Sequence, residues 1–233
     1  NDCFPSSKRE SDSRYPHRRR PAMLKLVCGQ ATGGSSILPF RTKTHMKNIG
    51  AWGDSITYGA GDEESLGWVG RLRHHLEKDH AIETYNLGIS GETSSDLLER
   101  FAVELRSVRP ELILIAIGAN DSIFKKGEEQ EKKVSVEKYK ENLRKLFSLA
   151  QETSQHVFAV GLTIADDART QPMPWGATGD SYKTAILEEY DEALRAVARE
   201  KEVVYIPMRN LLATSDLADG IHPNTAGYKK MYL

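Results

Sequence analysis

From residue 46 onward the chain alternates between two hydrophobic periods. Ile49 to Trp52 is a short apolar run closed by Gly53. Trp68, Leu72 and Leu76 then fall four apart, which lines one face of a helix and predicts a helix over 67–79. Ile82 to Leu87 alternates apolar with polar residues, as a strand does. Leu97, Leu98, Phe101, Leu105 and Val108 form a second helical stripe. Thr93-x-x-Asp96 opens it as a capping box, in which each side chain accepts a backbone N–H of the other residue, and Pro110 closes it. Leu112 to Ile117 is apolar throughout, as a strand buried on both faces should be. Val136, Tyr139, Leu143, Leu146, Phe147 and Ala150 line a third helix, followed by a strand over Val157 to Leu162. Residues 163–180, with Pro172, Pro174 and Trp175, read as a long loop. Ile186, Leu187, Tyr190, Leu194, Val197 and Ala198 line the next helix, and Val203 to Ile206 is the last strand.

Five strands in alternation with helices imply parallel pairing through right-handed crossovers. The predicted architecture is an α/β fold, a three-layer α/β/α sandwich on a five-stranded parallel sheet. In such sheets, sites form beyond the carboxyl ends of the strands.

Residues 1–45 show no such periodicity. They mix Ser, Pro, Arg and Gly, and read as an irregular, disordered extension before a domain over 46–233. A natural start at Met46 is one reading of this boundary. A basic targeting peptide, from Arg18-Arg19-Arg20 and the short apolar run after it, is the sharper one. Nine Lys/Arg against three Asp/Glu make this segment basic, whereas the chain as a whole has a net charge of −1. The remaining part is therefore mildly acidic, with no basic stripe to meet phosphates, so a nucleic-acid partner is not expected. Both cysteines, Cys3 and Cys28, lie in the extension, which leaves the domain without a thiol site. No apolar run approaches the roughly 20 residues of a membrane span, and the reading is cytoplasmic.

Polar signals follow the strands. Gly53-Asp54-Ser55-Ile56-Thr57 comes after the first, Gly88-Ile89-Ser90-Gly91 after the second, Gly118-Ala119-Asn120-Asp121 after the third, and Asp219-Gly220-Ile221-His222-Pro223 beyond the fifth. A serine hydroxyl is a weak nucleophile and needs a base within hydrogen-bond reach. His222 can serve, with Asp219 three residues earlier to hold the other ring nitrogen. The backbone N–H groups of Ser55 and Gly91 and the side-chain amide of Asn120 can meet the oxyanion of an acyl-transfer intermediate.

In this order the four segments resemble the signature blocks of the SGNH/GDSL hydrolase family, over about residues 47–233. The resemblance implies a flavodoxin-like sheet and a serine esterase acting on a small-molecule ester through an acyl-enzyme. Ser55, Asp219 and His222 would be the triad, and Ser55, Gly91 and Asn120 the oxyanion hole, with no metal or organic cofactor. Deacetylation of acetylated sugars is the enzymatic alternative, and a binding module with a vestigial site the non-enzymatic one. Against the family pattern the chain ends early in its last helix and reads as truncated there. Other features carry less. His74 and His75 are adjacent on a helix and read as solvent-facing, and His17, His45, His80 and His156 show no metal-ligand spacing. Ser90 reads as shaping the Gly91 turn. Pro174 and Trp175 read either as bordering the substrate or as anchoring their loop.

Overall fold

The computed structural model describes residues 48–80, 82–177 and 179–232. The extension over 1–45, Cys3, Cys28 and the start at Met46 lie outside the described residues. Five strands, β1 (Asn48–Gly53), β2 (Glu83–Gly88), β3 (Leu112–Ala116), β5 (His156–Val160) and β7 (Val204–Ile206), form one parallel sheet in the order β2-β1-β3-β5-β7. The connecting helices are α1 (Ser55–Tyr58), α2 (Gly67–His80), α3 (Ser94–Val108), α4 (Val136–Thr153), α5 (Thr184–Glu200) and α6 (Thr225–Tyr232). Helices α3, α4 and α5 pack side by side, and α2 packs with α6 and against β2. This is the expected three-layer sandwich.

The strand order decides where the site lies. The chain leaves β1 for β2 on one side and returns through β3 on the other, with Trp52 in register with both Leu87 and Ile115. Two neighbouring strands whose exits run in opposite directions leave a crevice between their carboxyl ends. Ser55 follows β1 and Asn120 follows β3, so the topology alone sends both to that crevice.

Burial explains the strand patterns. Leu112, Ile113, Leu114 and Ile115 are fully buried, because β3 is the central strand with a helical layer on each face. β2 lies at the sheet edge, and its buried position is Thr84 rather than one of the apolar residues of the alternating run. Trp52 meets Phe101 of α3 edge-on at 5.2 Å, and its indole N–H donates to Glu104 at 2.8 Å. The Thr93–Asp96 capping box forms as predicted. Helix α3 ends at Val108, capped by Arg109 in the left-handed conformation immediately before Pro110.

A second, two-stranded antiparallel sheet joins β4 (Phe124–Lys125) to β6 (Asp180–Ser181). It ties the end of the long loop to the segment after Asn120, a pairing no periodicity announces. Among the described residues, no helix is long and apolar enough to cross a membrane.

Candidate active site

Ser55 is the first residue of α1, at the turn where β1 leaves the sheet. Asp54 caps this one-turn helix by accepting the Ile56 N–H at 2.9 Å, and Gly59 ends it in the left-handed conformation. The amides of a first helical turn lack intrahelical partners, which leaves the Ser55 N–H available beside its own hydroxyl. Burial pushes the Asp54 carboxyl up to about 7, against the Ile56 hydrogen bond and the His222 charge, which lower it. Burial likewise raises Asp121, to about 6, despite its hydrogen bonds from Ser94.

A carboxyl whose folded pKa exceeds its unfolded value of about 4 makes the folded state bind an extra proton between the two. Its stabilising share is therefore fullest below about pH 4 and is lost as pH rises towards about 7 for Asp54. Asp54→Asn should flatten the fall in urea midpoint between about pH 4 and 7, leaving the Asp121 share. An unchanged slope would show that Asp54 is ionised throughout.

His222 Nε2 lies 2.8 Å from the Ser55 hydroxyl, and Nδ1 lies 2.6 Å from Asp219 Oδ2. Burial pushes the Asp219 carboxyl up, but hydrogen bonds from the His222 ring and backbone, the His222 charge and the Ile221 N–H outweigh it and hold the carboxyl below its ordinary range. An ionised carboxylate can only accept. Nδ1 must then carry the proton, which leaves Nε2 to accept from Ser55. Asp219 Oδ1 also accepts the backbone N–H groups of Ile221 and His222, and the Ala218 N–H donates to His222 O at 2.8 Å, so the turn is closed on itself.

A buried ion pair steadies this turn from behind. Asp62 and Arg71 are hydrogen bonded, and Asp62 also accepts the Gly67 N–H and the Thr225 hydroxyl at the start of α6. The loop carrying Asp62 presses on the histidine: a Cβ on Gly61, which sits at φ 86°, would lie 3.0 Å from His222 Cβ and 2.9 Å from Pro223 O. Gly61→Ala should therefore shift the imidazole. Misplacement of a reacting group by about 1 Å can cost up to about 10² in rate, so a fall in kcat of about tenfold is expected, measurable on a short-chain ester. Wild-type kcat would show that the loop yields instead.

Gly91 sits at φ 84° with open space where a side chain would be, and its N–H has no hydrogen-bond partner among the described residues. Asn120 is buried in a single 3-10 turn after β3. Its Nδ2 donates to Glu92 O at 2.9 Å, and its Oδ1 accepts the Tyr182 hydroxyl at 2.7 Å. Arg100 clamps the turn of Gly91 and Glu92: its guanidinium donates to both Glu92 carboxylate oxygens and to Leu87 O at 2.8 Å. Asp121 adds a third tie, accepting the Ser94 N–H at 2.9 Å at the start of α3.

Ser55, His222 and Asp219 thus form one hydrogen-bonded chain, and the Gly91 and Asn120 turns are bonded to each other. Such an arrangement can deprotonate a hydroxyl and offer N–H groups to an oxyanion. The other singled-out residues stand apart. Ser90 is exposed, with no histidine bonded to its hydroxyl among the described residues, and His74 is exposed as expected. His75 is half-buried against the Tyr232 ring at 6.4 Å, which corrects its reading as solvent-facing. Trp175 is 46% exposed and Pro174 exposed, so neither anchors the long loop; buried Met173 and Tyr182 do. Among the described residues, no group of three His, Cys, Asp or Glu side chains could hold a metal ion. Sequence reasoning missed Gly61, Arg100 and Tyr182. Of these only Gly61 carried a signal, as part of Gly59-Ala60-Gly61.

Known proteins share both sequence and fold with the chain. A multidomain esterase of Ruminococcus flavefaciens is 28% identical over 220 residues, covering 77% of this chain. The chain spans about a quarter of that protein's length (26%). The esterase TesA of Pseudomonas aeruginosa is 24% identical over 184 residues, covering 77% of this chain and 81% of its own. Among solved structures, the acetylxylan esterase Axe2 of Geobacillus stearothermophilus superposes with a TM-score of 0.64 at 22% identity, over 80% of this chain and 90% of its own. Catalytic mutants of Axe2 replace one serine, one aspartate and one histidine. The GDSL-like Lipase/Acylhydrolase family profile matches residues 51–230, the stretch that runs from β1 through Ser55 to the helix after His222, and the chain belongs to that family.

Proposed function

We propose that the protein hydrolyses carboxylic esters through an acyl-enzyme on Ser55. The observation that carries this reading is the chain Ser55–His222–Asp219, with contacts of 2.8 and 2.6 Å. Ser55 Oγ attacks the ester carbonyl carbon while its proton passes to His222 Nε2. The tetrahedral oxyanion accepts N–H groups from Ser55, Gly91 and Asn120. Collapse breaks the bond to the alkoxy oxygen, which leaves with the proton held by His222. Water then attacks the acyl-enzyme with His222 again as base, and the carboxylic acid departs. Asp219 fixes the histidine tautomer and balances the imidazolium charge. No step in this sequence calls for a metal or an organic cofactor.

Removal of acetyl groups from sugars is a second reading of the same chemistry. The fold shared with an acetylxylan esterase and the exposed Trp175 on the long loop favour it. A panel of aryl esters of graded acyl length, run beside acetylated xylo-oligosaccharides, tests both. Turnover of short acyl esters supports the first reading, and faster release of acetate from the oligosaccharides selects the second. A panel with no turnover at all would count against both and favour a binding module.

A further inference from the structure

Tyr182 follows β6 at the end of the long loop and is only 6% exposed. Its hydroxyl donates to Asn120 Oδ1 at 2.7 Å, while Asn120 Nδ2 donates to Glu92 O at 2.9 Å. A primary amide has one acceptor and two N–H groups. Flipping it would set its oxygen against the Glu92 carbonyl, acceptor against acceptor. The tyrosine and the carbonyl therefore select one orientation, in which the second Nδ2–H is not committed to Glu92. Burial, and after it the nearby carboxylates, push the Tyr182 phenol above its usual range, so it stays a donor at any working pH.

The segment before Tyr182 is gripped at the other half of the site. The Tyr182 N–H donates to Thr170 O at 3.0 Å, and the Asp166 N–H donates to Gly220 O, between Asp219 and His222, at 2.7 Å. Arg169 donates to Ala218 O at 2.6 Å. One stretch of chain thus touches both the turn that carries His222 and the Asn120 amide.

We infer that Tyr182 is a positioning residue for ester hydrolysis, holding the Asn120 amide in its donating orientation through the hydroxyl-to-Oδ1 hydrogen bond. This rests on the reading of Asn120 as an oxyanion donor. The test is a double-mutant cycle of Tyr182→Phe and Asn120→Ala, with kcat and KM on a short-chain ester and a melting curve for each protein. Tyr182→Phe keeps the buried ring but leaves Asn120 Oδ1 without its donor, so a lower melting temperature is expected and kcat is read on the folded fraction. Its kcat should fall about tenfold, with KM within about twofold, and the substitution should have no further effect in the Asn120→Ala background. A merely structural tyrosine would give the same loss in both backgrounds. That result, or wild-type kcat in Tyr182→Phe beside a strong loss in Asn120→Ala, would overturn the inference alone. Wild-type kcat in Asn120→Ala would overturn the oxyanion reading and the inference with it.

Discussion

Ser55→Ala is expected to lower kcat by roughly 10⁴ to 10⁶ and to abolish labelling by a fluorophosphonate, with the melting temperature nearly unchanged. Among the described residues the hydroxyl is held only by His222 Nε2, at 2.8 Å, and the residue is a small one at a helix start. Alanine keeps the backbone and the Ser55 N–H, so the fold loses little. The partner loses little as well, because His222 retains its hydrogen bond to Asp219. What remains after the loss of the nucleophile is the contribution of binding and of the oxyanion donors, which is why some activity above that of water should survive. A folded Ser55→Ala protein with near-normal turnover would remove Ser55 from the chemistry.

Asn120→Ala should lower kcat by about 10²–10³, or about 3–4 kcal/mol, with little change in KM. The donor acts where charge has developed, in the transition state, and so moves kcat rather than ground-state binding. The sequence alone set this role against that of a plain turn residue. The structure shows why the two are not exclusive: the same amide bridges Tyr182 and Glu92 across buried surroundings. Its removal leaves the Tyr182 hydroxyl without its acceptor, at a further cost of about 1–3 kcal/mol in stability. The discriminating quantity is therefore kcat measured on the folded fraction, alongside a melting curve. A destabilised variant with wild-type kcat would leave Asn120 a turn residue.

The legible part of this protein is the part that repeats or is local. The wholly apolar run of β3, the helical stripe from Leu97 to Val108 and the Thr93–Asp96 cap each depend on neighbours within a few positions, so their periods are written in the chain. The place of Ser55 was legible for a second reason: strand ends in an alternating α/β chain must meet at one sheet edge. The rest of the site depends on contacts between distant residues of ordinary types. Tyr182 lies 62 positions from Asn120, and nothing in its own neighbourhood distinguishes it from a core tyrosine. Arg100 reads as one more charge on a helix until the fold brings the carboxyl end of β2 beneath it. The pairing of Phe124–Lys125 with Asp180–Ser181 is two residues long, too short for any period to show. His75 was misread because the helix it packs against, α6, follows it by some 150 positions (ring contact to Tyr232).

Covalent capture tests the central claim most directly. The full chain is incubated with a fluorophosphonate, digested, and the adduct located by tandem mass spectrometry, with His222→Ala treated in parallel. The account predicts one phosphonyl group per chain, on Ser55, and a far slower reaction in His222→Ala, where no base takes the serine proton. An adduct on Ser90 or any other residue, or equal labelling rates with and without His222, would contradict it.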